Sequence, residues 1–402
     1  MEHAYIRYLL AHRTTQDVFF LANTPYGRGV LPADDMADLF AGIERTHQER
    51  ARLAPGDTFA ELLRVLSEPL PTKRSSPLSL NKSEAPVSDS VWSVAKAFIK
   101  GRQRFNALMR DGMPSVYLHV SHLQLDEPRC FTWLEASNIL PVFFVHDLIP
   151  IEFPEFCSPH AAERHQRRIE TIMRYGKGIL LNSSFTLASL QHYAEGRQLA
   201  PHRVVPLANT IGTDDKPIVP DLGATLPFFV HVGTIEGRKN ISHLLTVWRA
   251  LIERLGPQKA PRLVLVGRRG WECETVTSTL DRSRDLANHV IEVSGLRDSE
   301  LHALMRSSSG LITVSVTEGF GLPPVEAARL GVPVIASDIP AHREVLGDAA
   351  TFVGIHDGEG LLQAVQMTMS MQRSPTASLL PEFSWDEHVA LALRSIEDMA
   401  GH

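Results

Sequence analysis

Short apolar runs rich in β-branched and aromatic residues recur along this chain, each separated from the next by room for a helix. In the first half they fall at Asp17–Leu21, Ser115–Val120, Pro141–Val145, Gly178–Asn182 and Arg203–Leu207. In the second half they fall at Phe228–Val232, Arg262–Val266, His289–Val293, Gly310–Val314, Val332–Ala336 and Ala350–Val353. Several are continuously apolar rather than alternating, as parallel strands covered by helices on both faces must be. This spacing predicts an α/β chain with a doubly wound pattern written twice.

A length of 402 residues suits two such domains. Asn209–Pro227, NTIGTDDKPIVPDLGATLP, lacks periodicity and reads as the connection between them. The expected division is 1–209, a linker at 210–226, and 227–384, with 385–402 as a separate terminal helix. Ser67–Ser90, rich in Ser, Pro and Lys, reads as a mobile excursion from the first domain, with a functional lid as the alternative.

Charge narrows the partners. Residues 1–210 carry 23 Lys and Arg against 22 Asp and Glu, and residues 211–402 carry 17 against 24. Neither half has the basic surplus of a general nucleic-acid binder. Cys130, Cys157 and Cys273 lie far apart without paired spacing, which suggests neither a zinc site nor a disulfide framework. No apolar run is long enough to span a bilayer, and the opening MEHAYIRYLLAHRTT lacks a signal-peptide layout. The expected compartment is cytoplasmic.

Three segments bear chemistry. Thr317–Glu326, TEGFGLPPVE, follows the Gly310–Val314 strand and brackets a glycine-proline turn with two carboxylates, Glu318 and Glu326. The glycines allow backbone N–H groups to approach a ligand. A helix starting near Pro323 would add a positive dipole end suited to phosphate. The bland alternatives are an exposed loop acid at Glu318 and a dipole-complementing acid at Glu326. In Phe228–Asn240, FFVHVGTIEGRKN, Gly233 opens a loop that delivers Arg238 and Lys239 side by side before a helix. Adjacent cations at a strand-to-helix junction suit a diphosphate; two ordinary surface cations are the alternative. Pro141–Pro150, PVFFVHDLIP, ends an apolar strand with His146 and Asp147, where a buried histidine satisfied by a carbonyl is the alternative to a functional one.

With these segments the chain resembles glycosyltransferase family 4, a retaining family with two Rossmann-like domains facing a central cleft, the GT-B architecture. The match is E-x7-E, Glu318 to Glu326 in EGFGLPPVE, continued by AARLGVPVIASDIPAHREVLGDAATFV and supported by GTIEGRKN and VHDLIPIEFPEF. It covers residues 140–355 well and 1–135 only loosely.

The resemblance implies that Arg238 and Lys239, after Gly233, hold the donor diphosphate. Glu326 would accept from ribose hydroxyls and Glu318 would contact the transferred sugar, with the amides of Gly319, Phe320, Gly321 and Leu322 steadying sugar and phosphate. His146 would lie near the reacting carbon, Gly295, Leu296 and Arg297 would border the base, and Asn182, Ser183 and Ser184 would face donor or acceptor. Trp385–Met399 looks like the helix that crosses back to the first domain. Two positions depart from the family. Thr234 stands where many members have arginine, and the chain opens in helix-like EHAYIRYLLAH instead of a strand and glycine-rich turn. Pro25–Val30, PYGRGV, is a weak substitute.

The reaction so implied is metal-independent, retaining transfer of a hexose, with mannose favoured. The donor would be a nucleotide sugar, GDP-mannose favoured and a UDP-sugar the alternative. The acceptor would be a saccharide or lipid-linked saccharide, as in bacterial surface-polysaccharide assembly. Val94–Arg110 and Ala161–Lys177 are basic amphipathic helices; packing on the sheet is the preferred reading and peripheral contact with an anionic membrane the other. The rival functions are a nucleotide-sugar epimerase or hydrolase, and a non-catalytic binding protein. No G-x-G-x-x-G follows a predicted strand, which argues against a dinucleotide dehydrogenase.

Overall fold

The computed structural model describes residues 1–12, 18–24, 27–52, 56–70, 77–80, 91–135, 137–209, 224–371 and 378–401. The first half comprises α1 (Glu2–Ala11), β1 (Phe19–Thr24), β2 (Gly27–Pro32), α2 (Ala33–Arg52), α3 (Asp57–Ser67), β3 (Leu78–Leu80) and α4 (Val91–Asp111). It continues with β4 (Ser115–His119), β5 (Ile139–Val145), α5 (Ile149–Glu152), α6 (Ala161–Tyr175), β6 (Gly178–Leu181), α7 (Ser184–Ala194) and β7 (His202–Val204). Then come β8 (Phe228–Val232), α8 (Ile241–Leu255), β9 (Arg262–Val266), α9 (Glu274–Arg282), β10 (Val290–Val293), α10 (Asp298–Ser307) and β11 (Gly310–Thr313). The chain ends with α11 (Leu322–Arg329), β12 (Val334–Ser337), α12 (Pro340–Leu346), β13 (Ala350–Val353), α13 (Gly358–Ser370) and α14 (Trp385–Ala400).

Two parallel sheets result. The first runs β4-β5-β6-β7 and the second β13-β12-β11-β8-β9-β10-β3. In the second, the order reverses at β8, so the crevice between β8 and β11 opens at their C-terminal ends, the usual ligand position in open α/β sheets. The strands β5, β6, β9, β10, β11 and β12 are buried along nearly their whole length, which is why they read as continuous apolar runs. On α8 the stripe Ile241, Leu244, Leu245, Trp248 and Leu251 is buried against this sheet, and the Trp248 indole donates to the Pro261 carbonyl at 3.0 Å. Each such fully buried large side chain contributes on the order of 1.5–3 kcal/mol.

Two local expectations are corrected. The run expected as a parallel strand at 17–21 instead forms β1, whose described pairing is with β2 as an antiparallel hairpin. Among the described residues of the 67–90 excursion, Leu78–Leu80 is not an excursion from the first sheet. It is β3, paired in parallel with β10 on the edge of the second; residues 71–76 and 81–90 lie outside the described residues, as does most of the 210–226 linker.

Helix α3 follows β3 in allegiance. Phe59, Leu62, Val65 and Leu66 are buried in one core with Val264, Ile291, Ala303 and Leu304 of the second sheet and its helices. Buried Arg262, at the start of β9, donates to the Val65, Leu66 and Glu68 carbonyls at 2.8, 2.8 and 2.9 Å. Buried Glu300 accepts from the Gly56 N–H at 2.8 Å at the helix's other end. A cation at the C-terminus and an anion at the N-terminus both complement the helix dipole.

The two basic amphipathic helices pack inward. Gly101 of α4 lies on the Gly29–Val30 backbone of β2, and Phe105 meets Trp133 edge-on with the Arg28 guanidinium 6.0 and 5.9 Å from the two rings. Helix α6 buries Ile169, Ile172 and Tyr175. Helix α14 lies over the first sheet: Met399 reaches Gly178 of β6, and His388 accepts from the Tyr5 hydroxyl at 3.1 Å while donating to the Pro206 carbonyl at 2.6 Å. No helix among the described residues is long and apolar enough to cross a membrane.

Candidate active site

The C-terminal ends of β8 and β11 bring Arg238, Lys239 and Glu318 together. After β8 the backbone turns at Gly233, whose φ is +149° and where a Cβ would lie 3.0 Å from the Lys239 Cε. A side chain there would strain the turn and collide with the lysine stem. A single 3-10 turn, Gly237–Lys239, then presents both cations before α8. The loop after β11 sends Glu318 to meet them.

Lys239 Nζ lies 2.6 Å from Glu318 Oε1 and Arg238 Nη1 lies 2.6 Å from Oε2. The Ser315 hydroxyl donates to Oε1 at 2.8 Å, and Arg238 Nε lies 2.8 Å from Glu236. Lys239, Glu318 and Glu236 are all buried. Burial by itself would push the Glu318 carboxyl up, but the Lys239 and Arg238 charges and the hydrogen bonds from Lys239 and Ser315 outweigh it and hold it at about 2. For Arg238, burial is outweighed by Glu318 and Glu236, and its pKa is raised. Burial raises the pKa of Glu236, with the Arg238 and Lys239 charges opposing the rise. The side chain implied to contact a sugar here neutralises the pair implied to hold a diphosphate.

His146 enters from the first sheet, at the end of β5. Its Nε2–H donates to the Val120 carbonyl at 2.9 Å, and burial lowers its pKa, with that hydrogen bond opposing. The ring is thus neutral with an Nδ1 lone pair. Gly319 packs directly on this strand end: a Cβ on it would lie 2.5 Å from the His146 carbonyl and 2.9 Å from the Asp147 Cβ. Only glycine permits that approach. The Ser183 hydroxyl donates to the Gly319 carbonyl at 2.9 Å, and Asn182 Nδ2 donates to the His146 carbonyl at 2.8 Å. The loop carrying Glu318 and the strand carrying His146 are in contact.

Arg238, Lys239 and Glu318 sit within a stretch that matches a known family model. Residues 214–375 match the family described as "Glycosyl transferases group 1".

The relatives found are consistent in kind. Over 285 residues the chain is 24% identical to the "Serotype-specific mannosyltransferase WbdA" of Escherichia coli, covering 66% of this chain and 35% of that protein. It is 31% identical over 166 residues to the "O-antigen chain mannosyltransferase B" of Escherichia coli, 40% of this chain and 42% of that one. The chain thus spans about a third of the length of the first of these. Among solved structures, an alpha,alpha-trehalose-phosphate synthase (UDP-forming) from Burkholderia xenovorans superimposes with a TM-score of 0.55 at 12% identity, covering 96% of this chain and 90% of that one. Sucrose-phosphate synthase from Thermosynechococcus elongatus gives 0.51 at 21% identity, covering 82% and 79%. These likenesses establish the GT-B fold.

The remaining expected site residues are placed unequally. Glu326 lies on α11, where burial raises its pKa and His302 opposes the rise. Phe320 is buried in the core, and half-buried Leu322 packs against it. Pro323 and Pro324 occupy the next positions of α11 and have no N–H, which limits the expected helix-end phosphate donors to the amides before them. Leu296 is half-buried, and Arg297 Nη2 lies 2.5 Å from Glu300. Ser183 is fully buried; its hydroxyl caps α7 by accepting from Thr186 N at 3.0 Å and ties down Gly319. It occupies an internal contact rather than a free cleft position. Asn240 holds the N-cap position of α8 at φ +55°, and its side chain donates to the Ile355 carbonyl.

Sequence reasoning missed Glu236, Ser315 and the buried His231, whose Nδ1–H donates to the Ile312 carbonyl at 2.9 Å. Glu236 and Ser315 each stand two or three residues from a residue already singled out, and that adjacency was the available signal. No group of three or more His, Cys, Asp or Glu that could hold a metal occurs among the described residues.

Proposed function

We propose that this protein transfers a hexosyl group, mannosyl favoured, from a nucleoside-diphosphate sugar to a saccharide or lipid-linked saccharide acceptor, in the assembly of a surface polysaccharide. One observation carries the reading: Arg238 and Lys239 converge on one buried carboxylate at the crevice of the second sheet, within touching distance of the strand that ends in His146. Two cations held in a buried turn are preorganised for a dianionic leaving group. The names of the relatives support mannose as the transferred sugar.

In this reading the donor diphosphate takes the place of Glu318 between Arg238 and Lys239, and Glu318 swings to the sugar hydroxyls. Glu326 accepts from the ribose. The bond from the anomeric carbon to the diphosphate breaks on the same face on which the acceptor oxygen bonds, so configuration is retained. The acceptor proton passes to the departing phosphate oxygen. Neutral His146 uses its Nδ1 lone pair to accept from a sugar hydroxyl near the reacting carbon. The fixed positive charge supplies leaving-group stabilisation, and the mechanism is proposed without a metal on that account.

Calorimetry against GDP-, UDP- and ADP-sugars, with Lys239→Ala and Glu326→Ala as controls, tests the donor site. Selective binding to one base, lost in both variants, supports it. Absence of binding to all three overturns it. Product analysis then decides the chemistry: transfer with retained configuration fits, whereas an inverted product sinks the mechanism, and an epimerised or hydrolysed donor without acceptor points to the rival enzyme classes.

A further inference from the structure

Helix α7 begins at the C-terminal end of β6, beside His146, and its first three backbone N–H groups lack intrahelical partners, as at any helix start. All three are accounted for. Thr186 N donates to the Ser183 hydroxyl of the same helix cap. Ser184 N and Phe185 N donate to the two oxygens of Glu344, at 2.6 and 3.0 Å. Glu344 belongs to α12, which follows β12 in the second sheet and is separated from these residues by 160 and 159 positions in sequence. A carboxylate of one half thus occupies the positive end of a helix in the other.

The same helix start holds the donor loop. The hydroxyls of Ser183 and Thr186 lie 2.9 and 3.4 Å from the Gly319 carbonyl, and that of Thr186 lies 3.3 Å from the His146 carbonyl. The first turn of α7 is therefore grasped twice by the second half, by Glu344 at its N–H groups and by Gly319 at its hydroxyls. We infer that Glu344 is a positioning residue: it fixes the α7 start against α12, so that Ser183 and Thr186 seat the Gly319 loop beside His146. It sets the separation between the donor loop and the acceptor-side strand without touching either substrate. The inference rests on the glycosyltransferase reading for its catalytic consequence, but its structural consequence stands apart from it.

Glu344 is exposed at the rim, so the contact is accessible to salt and to substitution without disturbing a core. Glu344→Ala removes both acceptors. Glu344→Gln keeps one oxygen and removes the charge. Small-angle scattering of the full chain reads the separation of the two halves, calorimetry reads donor affinity, and steady-state kinetics reads turnover. The expected result is a larger radius of gyration for Glu344→Ala, a smaller increase for Glu344→Gln, and wild type approaching the variants as ionic strength rises. Donor affinity stays within about threefold, because Arg238, Lys239 and Glu326 are untouched, while kcat falls about tenfold to a hundredfold from misplacement of the donor loop. Unchanged scattering in Glu344→Ala overturns the inference, as does a variant whose donor affinity falls in step with kcat. Should the wild type turn over no nucleotide sugar, the functional reading fails and scattering alone still decides the role of Glu344.

Discussion

Lys239 Nζ and Glu318 Oε1 lie 2.6 Å apart, both residues buried, 79 positions apart in sequence. A buried ion pair of this kind offers little net stability compared with an apolar pair, but breaking it from one side leaves an unpaired buried charge and costs about 3–5 kcal/mol. In the proposed reading, a dianion entering the cleft competes with a carboxylate already in place.

Glu318→Gln should therefore bind nucleoside diphosphate more tightly and turn over more slowly. The amide retains hydrogen bonding but frees Arg238 and Lys239 to attract an anion. The variant should melt earlier than wild type in buffer and recover most of the difference with saturating GDP or UDP. Calorimetry and melting curves with and without nucleotide check this; weaker nucleotide binding would contradict it.

Lys239→Ala should weaken donor binding about tenfold to a hundredfold, the effect of one charge-assisted hydrogen bond. Gly233→Ala should reproduce part of that loss through the same lysine, because its Cβ would lie 3.0 Å from the Lys239 Cε in a φ +149° turn. The strain should add about 1–3 kcal/mol of destabilisation. Full donor affinity in Gly233→Ala would show that the lysine stem does not depend on this turn.

Stability should fall as pH drops from 7 towards 4. Burial holds His231 down to about 4, with Lys239 acting in the same direction, and burial likewise holds His119 down to about 4. Between about 4 and the ordinary histidine value of 6.5 the unfolded chain binds the extra protons, so acid favours unfolding. Each histidine contributes up to roughly 3 kcal/mol of this slope. Glu318, held at about 2, adds a second loss below the ordinary carboxylate range, where the unfolded chain again takes the proton first. Denaturant midpoints against pH should show both limbs, and His231→Asn, which keeps a donor near the Nδ1 position, should flatten the upper one.

Arg262→Leu should destabilise the fold by about 2–4 kcal/mol, since it removes the donor to the Val65 carbonyl and one donor to the Leu66 carbonyl, which keeps the Thr225 N–H. Donor affinity should be unchanged, because the contact lies at the start of β9 rather than at its C-terminal end. Chemical denaturation and calorimetry on one preparation separate the two effects. A variant as stable as wild type would mean that α3 is held by its apolar face alone.

What the sequence by itself determined was local. Continuous apolar runs marked β5, β6 and β8–β13 to within a few residues, because a strand covered on both faces has no polar side to show. The order of Gly233, Arg238, Lys239 and Glu318 along two strand-to-helix loops was equally legible, since strand ends in an α/β sheet share one edge. The tertiary structure decided the rest. Leu78–Leu80 is too short and too polar in its surroundings for periodicity to reveal, and which sheet edge it joins depends on β10, more than two hundred residues away. No spacing rule announces that Glu318 binds both cations, that Glu344 caps α7, or that Arg262 and Glu300 grip the two ends of α3. Those contacts join groups that are remote in sequence, and they are set by how two packed sheets bring their loops face to face.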